Sequence, residues 1–205
     1  MSHSPSRLPQ LLLITGVLFL AGGAWLLRQA WTGPSAPSVA PRHPAIGRPL
    51  PPFLLTRHDG TPFTAGSLRG RWTLLFFGYT QCPDVCPTSL LAMREAMAHL
   101  GNVPLPQVVF LSVDPQRDTI ELLGQYVPHF NPAFVGATGA ETALRPLAEA
   151  LGVAFARHES ASGYTIDHTA SVFLVGPDVR VHSVFPHPPD PELVAKIYRE
   201  ATGIR

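Results

Sequence analysis

The chain has only two cysteines among 205 residues and a single lysine, Lys196. Charged residues of every kind make up 14%, fifteen basic against fourteen acidic, and no run of arginine or lysine breaks the balance. That excludes a nucleic-acid groove of the ordinary basic kind. Two cysteines can make one cross-link, one exchanging dithiol, or two ligands of a metal site, and any further ligand must be another residue type. Histidine is the abundant candidate, with nine scattered residues. A lone histidine is ordinarily a surface or hydrogen-bonding group, so position has to select among them.

Long runs that are both uncharged and almost wholly apolar are rare except at the start. After a short segment, residues 1–10, the stretch LLLITGVLFLAGGAWLL at 11–27 has seventeen residues without a charge, about 25 Å as a helix. It reads as one N-terminal transmembrane helix. A cleaved signal peptide is the rival, but the small residues Ala21 to Ala24 lie inside the run, which favours an uncleaved anchor. Residues 28–46 carry four prolines among Ser, Gly and Ala and read as an extended tether. One domain is then expected over 47–205.

Within that domain, FLL at 53–55 and the turn Asp59-Gly60 predict a first short strand entering a hairpin. TLLFFGY at 73–79 and QVVFLSVDP at 107–115 predict buried strands. Helices are expected after Pro87, from the Asp118-Thr119 pair to Tyr126, near 143–151 with Pro146 in the first turn, and after Asp190-Pro191. AFVGATG and VAFARHE predict short strands, and TASVFLV and VRVHSVF a terminal β-hairpin. The order implies an α/β fold, a mixed central sheet with flanking helices and a C-terminal β-hairpin plus helix. Chemistry gathers beyond the carboxyl ends of parallel strands in such sheets, and both Cys82 and Asp114 follow such ends.

GYTQCPDVCPTSL places Cys82 and Cys86 three residues apart at a strand-to-helix junction. A helix starting near Cys86 would favour thiolate there through its free N–H groups and dipole. A staple closing so short a loop restrains the unfolded chain little. Thiol exchange remains open, although thioredoxin-like motifs use two intervening residues. A metal site would need a third ligand, and His168, beside Asp167 and just before an apolar strand, stands out. Two sulfurs suit Cu(I), and an added imidazole suits Cu(II) or zinc. A peroxidase built on one cysteine with Thr80, Thr88 and Arg117 is a further reading that leaves the second cysteine unused.

FGYTQCPDVCPTSL, LSVDPQRDT at 111–119 and YTIDHTASVFLV at 164–175 together resemble the Sco/SenC family over about residues 45–202. The resemblance implies a thioredoxin-like fold and a copper chaperone that assists assembly of the binuclear copper centre of cytochrome c oxidase. It implies that Cys82, Cys86 and His168 hold one copper ion, Cu(I) or Cu(II), with Cys82 and Cys86 also a redox pair. Asp84 is implied as an outer-shell or partner-facing group, and Asp114, Arg117 and Asp167 as neighbours of the site. The implied partner is the copper-bearing oxidase subunit, and the implied place a bacterial inner membrane with the domain in the periplasm. The chain is read as a carrier rather than an enzyme, with thiol-disulfide reductase activity as the alternative. One departure is visible: family members often turn the last hairpin with acidic-Pro-x-Gly, whereas here Gly176 precedes Pro177 and no glycine follows.

Overall fold

The computed structural model describes Gly23, residues 45–161 and residues 163–204. The segment 1–10, the anchor at 11–27 apart from Gly23, and the tether at 28–46 apart from its last two residues lie outside the described residues. Among the described residues no helix is long and apolar enough to cross a membrane. The chain divides into two units between Arg42 and His43, and the strands and the cysteines belong to the second. Ala45 is already buried among core side chains, so packing begins two residues before the expected boundary at 47.

The alternation of large apolar residues along a strand covered on both faces organises the core. β3 (Thr73–Gly78) is buried at every position. Leu75 and Phe77 point into one core layer, and Leu74 and Phe76 into the other. β4 (Gln107–Ser112) and β5 (Val135–Thr138) continue this pattern in parallel with β3. β1 (Leu54–Arg57) and β2 (Pro62–Thr64) form the expected hairpin, and β8 (Val172–Val175) and β9 (Val181–Phe185) the terminal one. The resulting mixed sheet runs β2-β1-β5-β4-β3-β8-β9.

Helices cover both faces. α1 (Val85–Leu100) and α4 (Pro191–Thr202) pack Leu90, Met93, Met97, Val194 and Tyr198 against the Phe76 face. α3 (Glu141–Leu151) packs Leu144, Leu147 and Leu151 against the other. The Asp190 carboxylate accepts the N–H groups of Glu192 and Leu193, giving α4 the cap its sequence announces. α2 (Ile120–Tyr126) is capped by Thr119, and Pro128 sits in a 3-10 turn beyond it.

Three local expectations shift. α1 starts at Val85, so Pro87 stands third in the helix, still among the N–H positions that have no intrahelical partner. α3 starts at Glu141, which moves Pro146 out of the first turn and into the helix; its missing N–H leaves the carbonyl one turn earlier without that partner. The segment before β8 is not merely a lead-in. β6 (Phe155–Ser160) and β7 (Gly163–His168) make a separate two-stranded sheet, and His168 is its last residue. At the family's glycine position in the last hairpin, Val179 takes φ 62°, a left-handed conformation that costs a β-branched residue about 1–3 kcal/mol. Burial of its side chain offsets that cost.

Candidate metal centre

β3 ends at Gly78, and the chain turns through Tyr79 to Gln81 into Cys82. The N–H of Val113 donates to the carbonyl of Gly78 at 2.9 Å, and that of Cys82 to the carbonyl of Tyr79 at 3.2 Å. Asp118 fixes the intervening loop: its carboxylate accepts the Thr80 N–H at 2.9 Å and the Thr80 hydroxyl at 2.6 Å. The Ser112 hydroxyl adds a third bond at 2.6 Å. Asp118 is fully buried. Burial raises its pKa above the ordinary carboxylate value, against the pull of the bonds from Ser112 and Thr80.

The sulfurs are free thiols, Cys82 half-buried and Cys86 buried. The helix's free N–H at Cys86 donates to Cys82 Sγ at 3.4 Å. The expectation of a thiolate at Cys86 is therefore corrected. The first-turn amide serves the other sulfur, and burial drives the Cys86 thiol pKa well up, with a backbone bond from Tyr79 opposing only in part. Cys86 Sγ lies against the end of β3, and a Cβ on Gly78 would stand 2.7 Å from that sulfur and 2.6 Å from Phe110 Cε2. Only glycine leaves the space.

The β6–β7 hairpin delivers the third group. Phe155 pairs with His168 in the antiparallel register. The base is fastened by Thr169 N–H to Ala154 O at 2.9 Å and Ala154 N–H to Thr169 Oγ1 at 3.1 Å. His168 Nε2 lies 3.3 Å from Cys86 Sγ, and its Nδ1 lies 3.2 Å from the Thr169 carbonyl. A carbonyl can only accept, so Nδ1 carries the proton and the Nε2 lone pair faces the sulfurs. Burial lowers the His168 pKa, which keeps the ring neutral and able to ligate. Tyr79 and Phe76 meet the ring edge-on, with centroids at 5.9 and 6.1 Å. One donor atom from each of Cys82, Cys86 and His168 lies within 4.8 Å of the others.

The flanking residues divide. Asp114 accepts Arg117 Nε and, at 2.7 Å, the Tyr164 hydroxyl. Arg117 Nη1 donates to Gln81 Oε1 at 3.1 Å and to the Tyr164 carbonyl at 2.9 Å. The pair thus ties the cysteine loop to the hairpin. The Tyr164 ring is held between Arg117 and Arg157, whose guanidinium carbons lie 3.6 and 3.5 Å from its centroid. Asp84 is exposed and makes no side-chain cap to α1; its carboxylate accepts the Thr88 hydroxyl at 3.2 Å. Asp167 points to solvent and pairs with His158 at 3.0 Å, away from the hydrogen-bonded shell of the thiols. Sequence reasoning did not assign Tyr164, Asp118 or Gly78 to the site. All three had a signal, a place inside the three motif stretches, but only the fold shows what they touch. The side chains named for a peroxidase have other partners: Thr80 is engaged by Asp118, Thr88 by Asp84, and Arg117 by Asp114 and Tyr164.

Comparison with known proteins adds a lineage to this geometry. The SCO1/SenC family model matches residues 44–203. "Protein SCO1 homolog, mitochondrial" of Mus musculus is 40% identical over 144 residues, 67% of this chain and 51% of that protein. "Putative copper-binding protein" of Stutzerimonas stutzeri is 38% identical over 137 residues, 64% of this chain and 66% of that protein. The chain spans about half the length of the mouse relative. The crystal structure of Arabidopsis thaliana ScoI with copper bound covers 77% of this chain and 100% of its own, with 30% identity and a TM-score of 0.71. Copper-bound Bradyrhizobium japonicum ScoI covers 75% of this chain and 99% of its own, with 35% identity and a TM-score of 0.68.

Proposed function

Because this chain belongs to the SCO1/SenC family and has its thioredoxin-like fold, we propose that it is a membrane-anchored copper chaperone. Its Cys82, Cys86 and His168 would carry one copper ion to the binuclear centre of cytochrome c oxidase. The observation that carries the reading is the convergence of two sulfurs and one imidazole nitrogen within 4.8 Å. Two thiols and a neutral imidazole are the donor set that suits Cu(I), and the nitrogen extends it toward Cu(II). Loading deprotonates both thiols, so two protons leave as one Cu(I) enters. Cys86 lies under the surface while Cys82 and His168 are half-buried. An incoming cysteine or histidine of the acceptor therefore approaches on the Cys82–His168 side, and Cys86 is the last donor to let go. Asp84, exposed beside that opening, faces the acceptor. On this reading an anchor at 11–27 would hold the domain to a bacterial inner membrane on its periplasmic side, the side that the family's layout implies and that the flanking Arg7 and Arg28 do not themselves select.

The test is His168→Ala beside Cys82→Ser in the full chain. X-ray absorption on Cu(I)-loaded parent should report sulfur and nitrogen scatterers, with the nitrogen lost in His168→Ala. Cu(II) affinity should fall sharply in that variant; unchanged Cu(II) affinity would remove His168 from the site. The second reading, thiol-disulfide exchange with an envelope protein, is favoured by the half-buried Cys82 over the buried Cys86. It predicts that His168→Ala leaves oxidation of the dithiol intact.

A further inference from the structure

At the pole opposite the sulfurs, the starts of β3 and β4 border a cavity of about 540 Å³ lined by Arg57, Arg69, Arg71, Met97, Leu105 and Gln107 among others, with no carboxylate in its wall. Among the described residues five buried side-chain polar atoms lack a hydrogen-bond partner, and two of them, Arg57 Nε and Gln107 Oε1, belong to residues lining this cavity. Among the described residues Arg57 has one ion-pair partner, Asp59, at 3.2 Å, while Arg69 and Arg71 have none. Turning the Gln107 amide over would present its NH₂ where the orphaned oxygen now sits. The cavity is then a set of donors with unbalanced positive charge, and guanidinium groups match the oxygens of a phosphate in pairs.

The surroundings select among phosphates. Leu105 is 52% exposed on the rim, an apolar contact that inorganic phosphate cannot use and a lipid can. The described chain also enters its domain at this pole. Gly47 N–H donates to Val181 O at 2.7 Å, Arg180 Nη1 to Gly47 O at 3.0 Å, and Gly70 N–H to Pro177 O at 3.0 Å. Residues 47–50, the β8–β9 turn and the Arg69–Arg71 segment are therefore neighbours. A tether over 28–46 reaches at most about 65 Å, which keeps lipid headgroups at high effective concentration.

We propose that the Arg57–Arg69–Arg71 cavity binds the phosphate of an anionic lipid headgroup, docking this pole on the bilayer and turning the Cys82–Cys86–His168 group away from it. β3 alone separates the two ends by about 20 Å. The inference rests on the membrane-anchor reading and is independent of copper.

The full chain is reconstituted in nanodiscs of phosphatidylcholine, with or without phosphatidylglycerol, and hydrogen exchange is followed by mass spectrometry. Peptides holding Arg69–Arg71 and Leu105–Gln107 should exchange more slowly on the anionic discs. Each arginine removed should weaken docking about fivefold, so the exposed pair Arg69→Gln/Arg71→Gln should weaken it about thirtyfold and abolish the difference, with Cu(I) stoichiometry unchanged. Inorganic phosphate added to phosphatidylcholine discs should give no protection. Equal exchange on both discs, protection that survives the double substitution, or equal protection by inorganic phosphate would each overturn the proposal. A chain that does not enter discs at all would overturn the anchor reading and this inference with it.

Discussion

Replacing Gly78 by alanine should damage the copper site and the core together, because one methyl group would have to share space with a ligand sulfur. The new Cβ would lie 2.7 Å from Cys86 Sγ and 2.6 Å from Phe110 Cε2, against ordinary contact distances of about 3.5–4.0 Å. Sulfur and ring must each retreat by about 1 Å. Neither has free room: Cys86 and Phe110 are fully buried, and overpacking of this kind costs about 1–3 kcal/mol. In a domain of this size that lowers the melting temperature by about 5 °C. In the metal-free protein the sulfur can relax part of the way. Copper, bonded to it and to His168, pulls it back, so the strain reappears as lost affinity, about fivefold to a hundredfold. Competition with a chromogenic Cu(I) chelator and thermal unfolding of the metal-free protein read the two effects separately. Gly124→Ala is the control, since its Cβ would meet nothing closer than 3.7 Å. A Gly78→Ala protein with parental melting and parental Cu(I) affinity would refute the packing argument.

The Cys86 thiol is held protonated by burial, so its displacement by Cu(I) should make the apparent affinity rise at least tenfold per pH unit across the neutral range; chelator competition at several pH values checks this. Asp118 has a raised pKa in the fold, so its contribution to stability is full below the unfolded carboxylate pKa and is lost as pH rises through the folded value. Urea unfolding of the metal-free protein should accordingly show a shallower loss of stability with rising pH in Asp118→Asn than in the parent. Tyr164→Phe removes the hydroxyl that donates to Asp114 at 2.7 Å and keeps the ring between its two arginines. Dissociation of Cu(I) should speed up a few-fold, with faster hydrogen exchange confined to the β6–β7 hairpin.

The central strands were legible because continuous apolar runs leave no choice of face, and the Asp190-Pro191 start of α4 because capping chemistry is local. β6 was legible in VAFARHE, but its partner β7 was not, since GYTIDH buries only Ile166. It carries little hydrophobic period, and its stability comes from pairing with β6 and from the Arg–Tyr–Arg stack, which are contacts between distant positions. The same limit applies to the site. Residue types and spacing announced the two thiols and His168, but not that Cys86 would be sealed beneath Gly78, nor that the helix amide would serve Cys82. Desolvation decided the first and loop geometry the second, and neither is written in a motif.

The stretch SVDPQRD, Ser112 to Asp118, is where these fastenings meet. Thr80 of the cysteine loop donates to Asp118, and the Ser112 hydroxyl donates to the same carboxylate. Ser112 in turn accepts the Asp114 N–H at 3.0 Å, and Asp114 accepts the hydroxyl of Tyr164, four residues before His168. One continuous hydrogen-bonded path therefore runs from the loop that positions the sulfurs to the hairpin that positions the imidazole, through a buried turn with no donor atom of the metal site in it. Bonds to buried carboxylates are worth about 1.5–3 kcal/mol each. Two sequence-distant segments held by one such path behave as a unit, so thiols and imidazole remain within bonding reach of a common ion without touching through any covalent link. That explains why the motif can sit beside the site, contribute no ligand, and still set the ligand geometry.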